Sequence, residues 1–181
     1  MSRLACDAST AIPFPVRTHP SHEAVRRHLR QREVVLTAHS LAETYSVLTR
    51  LPGDARVAPR DVVRLITSNF GRATAPDADT LDDLPRVLAT AGVLGGAVYD
   101  ALVALAARAS DVPLASRDAR ALGTYGAIGV KVEVIAQCNL GEEPALGQIS
   151  SGPLVLISRS LCVVADVDVV PAHPARGSGG C

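Results

Sequence analysis

Apolar positions follow two different periods along the first 135 residues of the chain. Short apolar runs of strand length occur at residues 3–7, 33–37, 112–116 and 131–135. Apolar residues spaced three or four positions apart, together with typical helix start and stop residues, predict helices over 19–30, 39–51, 59–70, 79–91, 95–108 and 117–125. Strands that alternate with helices in this way predict a three-layer α/β fold, with a central parallel sheet between two layers of helices.

This pattern ends near residue 136. Residues 141–153 are rich in Gly, Pro and Ser, and residues 176–181 form a second stretch of small residues. Such composition is typical of loops and flexible ends. We therefore predict one domain over residues 1–137, followed by a poorly ordered C-terminal extension over residues 138–181.

The most apolar predicted helix contains a single acid near its start. Residues 98–107 are apolar nearly all round except for Asp100, and this pattern is typical of a buried helix. An ionised carboxylate in apolar surroundings is costly unless it is paired, hydrogen-bonded or bound to a metal. Asp100 is therefore the first candidate for a functional residue.

Three more acids stand at the ends of predicted elements. Asp7 ends the first strand, Glu43 lies in the first turns of the helix after the second strand, and Asp118 follows the third strand. Ligands of open α/β sheets bind at the carboxyl ends of the strands, so all four acids can meet at one edge. Their mutual repulsion would raise their pKa values. Mg²⁺ or Mn²⁺ would relieve that repulsion and would suit phosphodiester hydrolysis.

Each acid also has an ordinary structural interpretation. Asp7 can cap a loop or helix, Glu43 can be a solvated helix residue, and Asp118 can be an N-terminal helix acid with Ser116 as its cap. Asp100 is the hardest to explain in this way, because its neighbours are so apolar. The hypothesis of a metal site rests on all four acids together.

Four segments make the chain similar to a known family. They are residues 4–9, 41–52, 98–104 and 116–125. In this order they resemble the PIN-domain pattern and, more narrowly, the VapC toxins of bacterial type II toxin–antitoxin systems. The resemblance covers residues 1–136. It implies a Mg²⁺-dependent endoribonuclease acting on structured RNA, frequently tRNA, and a homodimer that a VapB antitoxin neutralises.

The resemblance also assigns roles to individual residues. Asp7, Glu43, Asp100 and Asp118 would be the catalytic acids and the metal ligands, and Ser9 and Ser116 would be hydroxyl helpers. Ala8 departs from the family pattern, in which a hydroxyl residue is common after the first Asp. The extension over residues 138–181 has no counterpart in the family.

Charge and composition limit the remaining possibilities. Residues 1–135 hold 16 basic and 14 acidic residues, which is too small an excess to predict nucleic-acid binding by itself. The helical arginines Arg50, Arg56, Arg60 and Arg64 fit either a phosphate contact or a solvated helix face. The histidines His19, His22 and His28 are predicted to lie on the surface. The four cysteines lack zinc spacing and predict free thiols, and no apolar run is long enough to span a membrane, so we expect a cytoplasmic protein.

Two alternative functions remain open from the sequence. A haloacid-dehalogenase-like phosphatase would also begin with a strand and an Asp, but it needs a second acid where this chain has Ser9. The other alternative is an RNA-binding or RNA-processing PIN protein outside a toxin–antitoxin pair, including one whose acids no longer act. Because the chain keeps all four acids, we favour catalysis over binding alone.

Overall fold

The sheet has four parallel strands. The computed structural model describes residues 2–136, so the predicted extension over 138–181 lies outside the described residues. The strands are β1 (Arg3–Cys6), β2 (Glu33–Leu36), β3 (Leu114–Ser116) and β4 (Val132–Val134). Their order in the sheet is β2-β1-β3-β4, and all pairs are parallel. The predicted central parallel sheet is confirmed.

Helices cover both faces of this sheet. Their bounds are α1 Ala8–Ala11, α2 His22–Leu29, α3 Ala38–Arg50, α4 Pro59–Asn69, α5 Ala78–Asp82, α6 Leu84–Thr90, α7 Ala97–Ala109 and α8 Leu122–Ile128, and a 3₁₀ turn lies at Gly53–Ala55. Leu4 and Cys6 point into a core shared with α1 to α4, whereas Ala5 points into a core shared with α7 and α8. This alternation confirms the three-layer architecture. In the part of the chain that the structure describes, no helix is long and apolar enough to cross a membrane.

The chain order creates a crevice between β1 and β3. From β1 the chain moves to β2 on one side, and it later returns to β3 on the other side of β1. Connections that leave a strand pair in opposite directions open a gap at the carboxyl ends of those strands. Cys6 pairs with Ala115, so the residues that follow each strand lie side by side at this gap.

Two predicted helices differ substantially from the structure, and one short helix was missed. The helix expected over 79–91 is two helices, because the chain leaves helical geometry at Asp83 and restarts with Pro85 in the first turn of α6. The helix expected from residue 117 begins only at Leu122, since residues 118–121 form a turn in which Asp118 accepts from the Arg120 amide. Helix α1 was not predicted.

Two predictions about burial were also wrong. His19 and His22 are buried rather than exposed: the Ser21 amide donates to His19 Nδ1, and His22 Nδ1 lies 2.9 Å from the Pro13 carbonyl oxygen. Tyr45, one of the apolar residues whose spacing predicts the helix over 39–51, is exposed, and the small polar residue Thr44 is buried instead. Cys6 is a buried free thiol, as predicted, and the other cysteines lie outside the described residues.

Candidate active site

Asp7 is the most buried of the predicted acids. It directly follows β1, caps α1 and is only 5% exposed. Its Oδ1 accepts from Ser9 Oγ at 2.7 Å and from the Thr10 amide at 3.0 Å, and its Oδ2 accepts from Ser116 Oγ at 2.5 Å and from the Tyr125 hydroxyl at 3.2 Å. Burial raises the pKa of Asp7, and these four hydrogen bonds act in the opposite direction. Four donors therefore fix the orientation of this carboxyl group.

The two predicted hydroxyl helpers, Ser9 and Ser116, link Asp7 to the loop after β3. Ser9 Oγ donates to Asp7 and accepts from the Arg117 amide at 2.9 Å. Ser116 Oγ donates to Asp7 and accepts from the Asp118 amide at 3.1 Å. Each hydroxyl thus accepts from a backbone N–H of the loop after β3 and donates to one oxygen of Asp7. Their geometry is that of positioning residues.

Asp100 lies in the first turn of α7 and is partly exposed. Desolvation, together with the charges of Asp118, Asp7 and Glu43, raises its pKa to about 6, and the charge of Arg120 acts in the opposite direction. Asp100 is therefore within electrostatic range of each of the other three predicted acids.

Glu43 and Asp118 complete the group from two other elements. Glu43 lies in α3, whose start is capped by Thr37 Oγ1 accepting from the Ser40 amide. Asp118 lies in the loop after β3, where Arg120 donates from Nε to its Oδ1 at 3.0 Å and from a terminal nitrogen to its Oδ2 at 2.7 Å. The Arg120 hydrogen bonds hold the pKa of Asp118 below its ordinary value.

A stacked aromatic pair ties together the helices of Glu43 and Asp100. The rings of His39 in α3 and Tyr99 in α7 lie nearly parallel, with their centroids 5.1 Å apart. His39 precedes Glu43 by one helical turn, and Tyr99 directly precedes Asp100. Desolvation lowers the pKa of His39, so the imidazole is neutral at pH 7. This contact sets the separation between the starts of the two helices.

The donor chemistry of the acids matches a hard divalent cation, since all their ligating atoms are carboxylate oxygens. Their side-chain positions do not form a ready ligand set: within residues 2–136, no group of three or more His, Cys, Asp or Glu side chains is arranged to hold a metal ion. The contacts explain this, because both oxygens of Asp7 accept from hydroxyls and those of Asp118 accept from Arg120. To bind an ion, Asp118 would have to give up its hydrogen bonds with Arg120.

Three residues that contribute to the site were not predicted from the sequence. Tyr125, within the family-like segment 116–125, donates to Asp7 from α8. Burial and the charges of Asp7 and Asp100 raise the pKa of Tyr125, so its hydroxyl keeps its proton. Arg120 neutralises Asp118. The Arg117 guanidinium donates to the Ser9 carbonyl oxygen and to Ser21 Oγ, which braces the loop. The only sequence signal was their closeness to Asp118.

This arrangement can be compared with known proteins. A model of the PIN domain family matches residues 4–126. The chain belongs to the PIN domain family. The match spans β1 to α8 and includes all four acids. The predicted family is confirmed, and the haloacid-dehalogenase alternative is left without support.

Within the family, this PIN domain is similar to proteins of Mycobacterium tuberculosis. It is 56% identical over 133 residues to "Ribonuclease VapC27", covering 74% of this chain and 97% of that protein. It is 42% identical over 136 residues to "Ribonuclease VapC40", covering 73% of this chain and 98% of that protein. The chain is therefore a VapC-like PIN domain.

Solved structures share the fold at low sequence identity. The structure of FitAB bound to an IR36 DNA fragment matches with a TM-score of 0.53 and 17% identity, covering 72% of this chain and 94% of that chain. The structure of VapBC2 from Rickettsia felis bound to a DNA fragment from its promoter matches with a TM-score of 0.53 and 13% identity, covering 73% of this chain and 98% of that chain. At these identities the likeness concerns the fold alone.

Proposed function

We propose that this PIN domain is the toxin of a type II toxin–antitoxin pair and an endoribonuclease that cleaves structured RNA, with tRNA as the expected substrate. The resemblance to two proteins named ribonucleases supports RNA as the substrate class. The observation that supports catalysis most directly is the raised pKa of Asp100, which arises partly from three other carboxylates at the same edge. Perturbed titratable groups in such clusters are typical of functional sites.

The proposed cofactor is Mg²⁺, with Mn²⁺ as the alternative. Asp7, Glu43, Asp100 and Asp118 would hold it, since they supply only oxygen ligands. When bound, the cation supplies a water of lowered pKa and stabilises charge on the phosphate. Its affinity is expected to depend on Asp100, whose ionisation is opposed by the neighbouring acids.

The residues around these acids have distinct proposed tasks. Ser9, Ser116 and Tyr125 hold the Asp7 carboxyl group in one orientation. The apolar body of α7 fixes the position of Asp100, because its residues 103–107 are buried. Arg120 moderates the repulsion between Asp100 and Asp118.

The proposed partners are a second copy of this chain and a VapB-like antitoxin. The solved VapBC2 complex shares this fold. We expect a short basic antitoxin that places an arginine near the four acids, because the repulsion among them favours a cation there. Co-expression with the product of the adjacent open reading frame should suppress toxicity, and sedimentation should show whether the purified protein is a dimer.

Cleavage of total RNA tests the activity. The protein is incubated with total RNA, with and without Mg²⁺, and the new 5′ ends are mapped by sequencing. Asp100→Asn keeps the side-chain shape and removes the charge, so we expect it to lower cleavage by at least about a thousandfold while the fold remains intact. Asp82→Asn, in an exposed position of α5, is the matched control and should cleave normally.

Two outcomes would contradict this mechanism. Undiminished cleavage by Asp100→Asn would remove the acid cluster from the reaction, and undiminished cleavage in excess chelator would remove the metal. Circular dichroism of each variant is needed, so that a loss of activity is not confused with a loss of fold.

A further inference from the structure

Positive charge is concentrated in one short segment of the domain. Residues 17–32 contain five arginines and one glutamate, a formal charge of +4. The rest of residues 2–136 contains eleven basic and thirteen acidic residues, a formal charge of −2. The near-neutral total therefore hides a strongly basic segment within an otherwise slightly acidic domain.

Most arginines elsewhere in the domain already have polar partners. Arg60 and Arg64 lie near Asp61, Arg86 pairs with Asp83, and Arg120 pairs with Asp118. In the basic segment, Arg32 pairs with Glu133. No carboxylate of residues 2–136 lies within ion-pair distance of Arg27 or Arg30, and both are exposed. These two guanidinium groups are available to an external anion.

The basic segment also forms a cavity. Its volume is about 510 Å³, and its lining includes four arginines, Arg26, Arg27, Arg30 and Arg32, against one acid, Glu23, together with Phe14. The Arg26 guanidinium lies over the Phe14 ring, 5.8 Å from its centroid, which holds that side chain against the wall. Guanidinium groups around a concave surface suit phosphate, which they can contact through two hydrogen bonds at once.

This cavity is separate from the acid cluster. The chain passes from α2 through residues 30–32 into the amino end of β2, whereas Asp7 and Asp118 follow the carboxyl ends of β1 and β3. An edge with four carboxylates repels the phosphates of RNA. A basic surface elsewhere would offset this repulsion, and residues 17–32 hold the excess positive charge.

We propose that this arginine-lined cavity binds the phosphate backbone of the RNA substrate at a distance from the scissile bond. The inference rests on the proposed ribonuclease function and adds an anchoring site to it. Such a site favours folded RNA long enough to reach both surfaces, and it leaves short oligonucleotides dependent on the acid cluster alone.

Salt-dependent binding of tRNA tests the site without relying on cleavage. Arg27→Ala and Arg30→Ala are combined in the Asp100→Asn background, and binding of unfractionated tRNA is measured over a range of salt concentrations. Losing two phosphate contacts should lower the slope of log K against log salt by about 1.5 and weaken binding about tenfold at physiological ionic strength. Arg60→Ala with Arg64→Ala, on the exposed face of α4, is the matched control and should change both quantities much less.

Cleavage assays in the otherwise wild-type chain separate this inference from the proposed function. With the Arg27 and Arg30 pair replaced, cleavage of tRNA should fall while cleavage of a short single-stranded RNA stays unchanged. The inference would be overturned by an unchanged salt slope or by an equal loss of tRNA binding in the α4 control. It would also be overturned if the two substitutions weakened binding of duplex DNA more than binding of tRNA. If the unaltered protein cleaves no RNA, the proposed function fails, while the binding measurement still decides whether the cavity holds RNA.

Discussion

Asp7 and Asp100 lie at the same edge of the sheet, yet the surroundings of their carboxyl groups differ. Asp7 is buried and accepts four hydrogen bonds from Ser9, Thr10, Ser116 and Tyr125. Asp100 is partly exposed, and its environment raises its pKa to about 6 through desolvation and three neighbouring carboxylates. Burial raises the pKa of both groups; at Asp7 four fixed donors act against that rise, whereas at Asp100 three neighbouring carboxylates add to it.

Asp7 contributes to the structure of the site, whereas Asp100 is the acid linked to its proposed reactivity. The hydrogen bonds of Asp7 join β1, the loop after β3 and α8, so they contribute to the folded structure. The repulsion at Asp100 weakens the folded structure and is expected to favour a bound cation. Mutations in the two regions should therefore change stability in opposite directions.

The largest expected effect on stability is at Asp7. Asp7→Ala leaves the Ser116 and Tyr125 hydroxyls and the Thr10 amide without their acceptor, so the free energy of unfolding should fall by about 3 kcal/mol. Urea denaturation monitored by circular dichroism measures it. Asp100→Ala is the comparison and should not lower stability; if it destabilises the protein as much as Asp7→Ala, the contrast between the two carboxyl groups is wrong.

Ser116 should have the next largest effect. Ser116→Ala removes the donor to Asp7 Oδ2 and the acceptor of the Asp118 amide, and we expect a loss of about 1.5 kcal/mol in the free energy of unfolding. Ser68→Ala, at an exposed position of α4, is the control for replacing a serine. Equal stabilities of the two variants would show that the relay through Ser116 contributes nothing.

The raised pKa of Asp100 predicts a dependence of stability on pH. Between the ordinary carboxyl value and about 6, the folded chain binds a proton at Asp100 that the unfolded chain does not, so stability rises as pH falls through this window. Asp100→Asn removes this dependence and should stabilise the metal-free protein at pH 7.5 by about 1 kcal/mol, after allowance for solvent screening. Thermal melts in chelator at pH 7.5 and 4 measure the difference. Asp7 is present in both proteins, so its contribution cancels; an advantage of the variant that persists at pH 4 would contradict the prediction.

Arg120 should have the smallest effect on stability. Its side chain is 64% exposed, so Arg120→Ala should cost no more than about 0.5 kcal/mol at pH 7, and less as Asp118 becomes protonated. The pKa values of the neighbouring acids should respond more clearly than stability does. Without Arg120, the pKa of both Asp118 and Asp100 should rise, and NMR titration can detect this rise. Arg86→Ala, which breaks an exposed pair with Asp83, is the control and should leave those pKa values unchanged. Unchanged pKa values in Arg120→Ala would exclude a role for Arg120 at the site.

The sequence was sufficient to place the four acids because each follows a local rule. Asp7 and Asp118 come after apolar runs of strand length, and parallel strands bring such positions to one edge. Asp100 stands out among the apolar residues of α7. Periodicity and element ends carry this information, and both can be read from a few neighbouring residues.

Contacts between distant segments could not be predicted in the same way. The Tyr125 hydroxyl reaches Asp7 from α8, which packs against α7 and β4, and no pattern near Tyr125 indicates this contact. His19 and His22 are buried because Ser21 and Pro13 provide partners for their ring nitrogens, whereas composition alone suggested surface residues. The turn at residues 118–121 also depends on Arg120 bonding back to Asp118, which overrides the helix expected from residue 117.

In the proposed mechanism, the hydrogen bonds of Asp7 would also affect when the protein becomes active during its synthesis. Two of its donors, Ser116 and Tyr125, follow it by 109 and 118 residues. Contacts across such separations form late, because a long loop must close first. A nascent chain that has emerged from the ribosome only as far as α7 lacks both donors. The ribosome that makes this protein is therefore exposed to a competent nuclease only after nearly the whole domain has been translated.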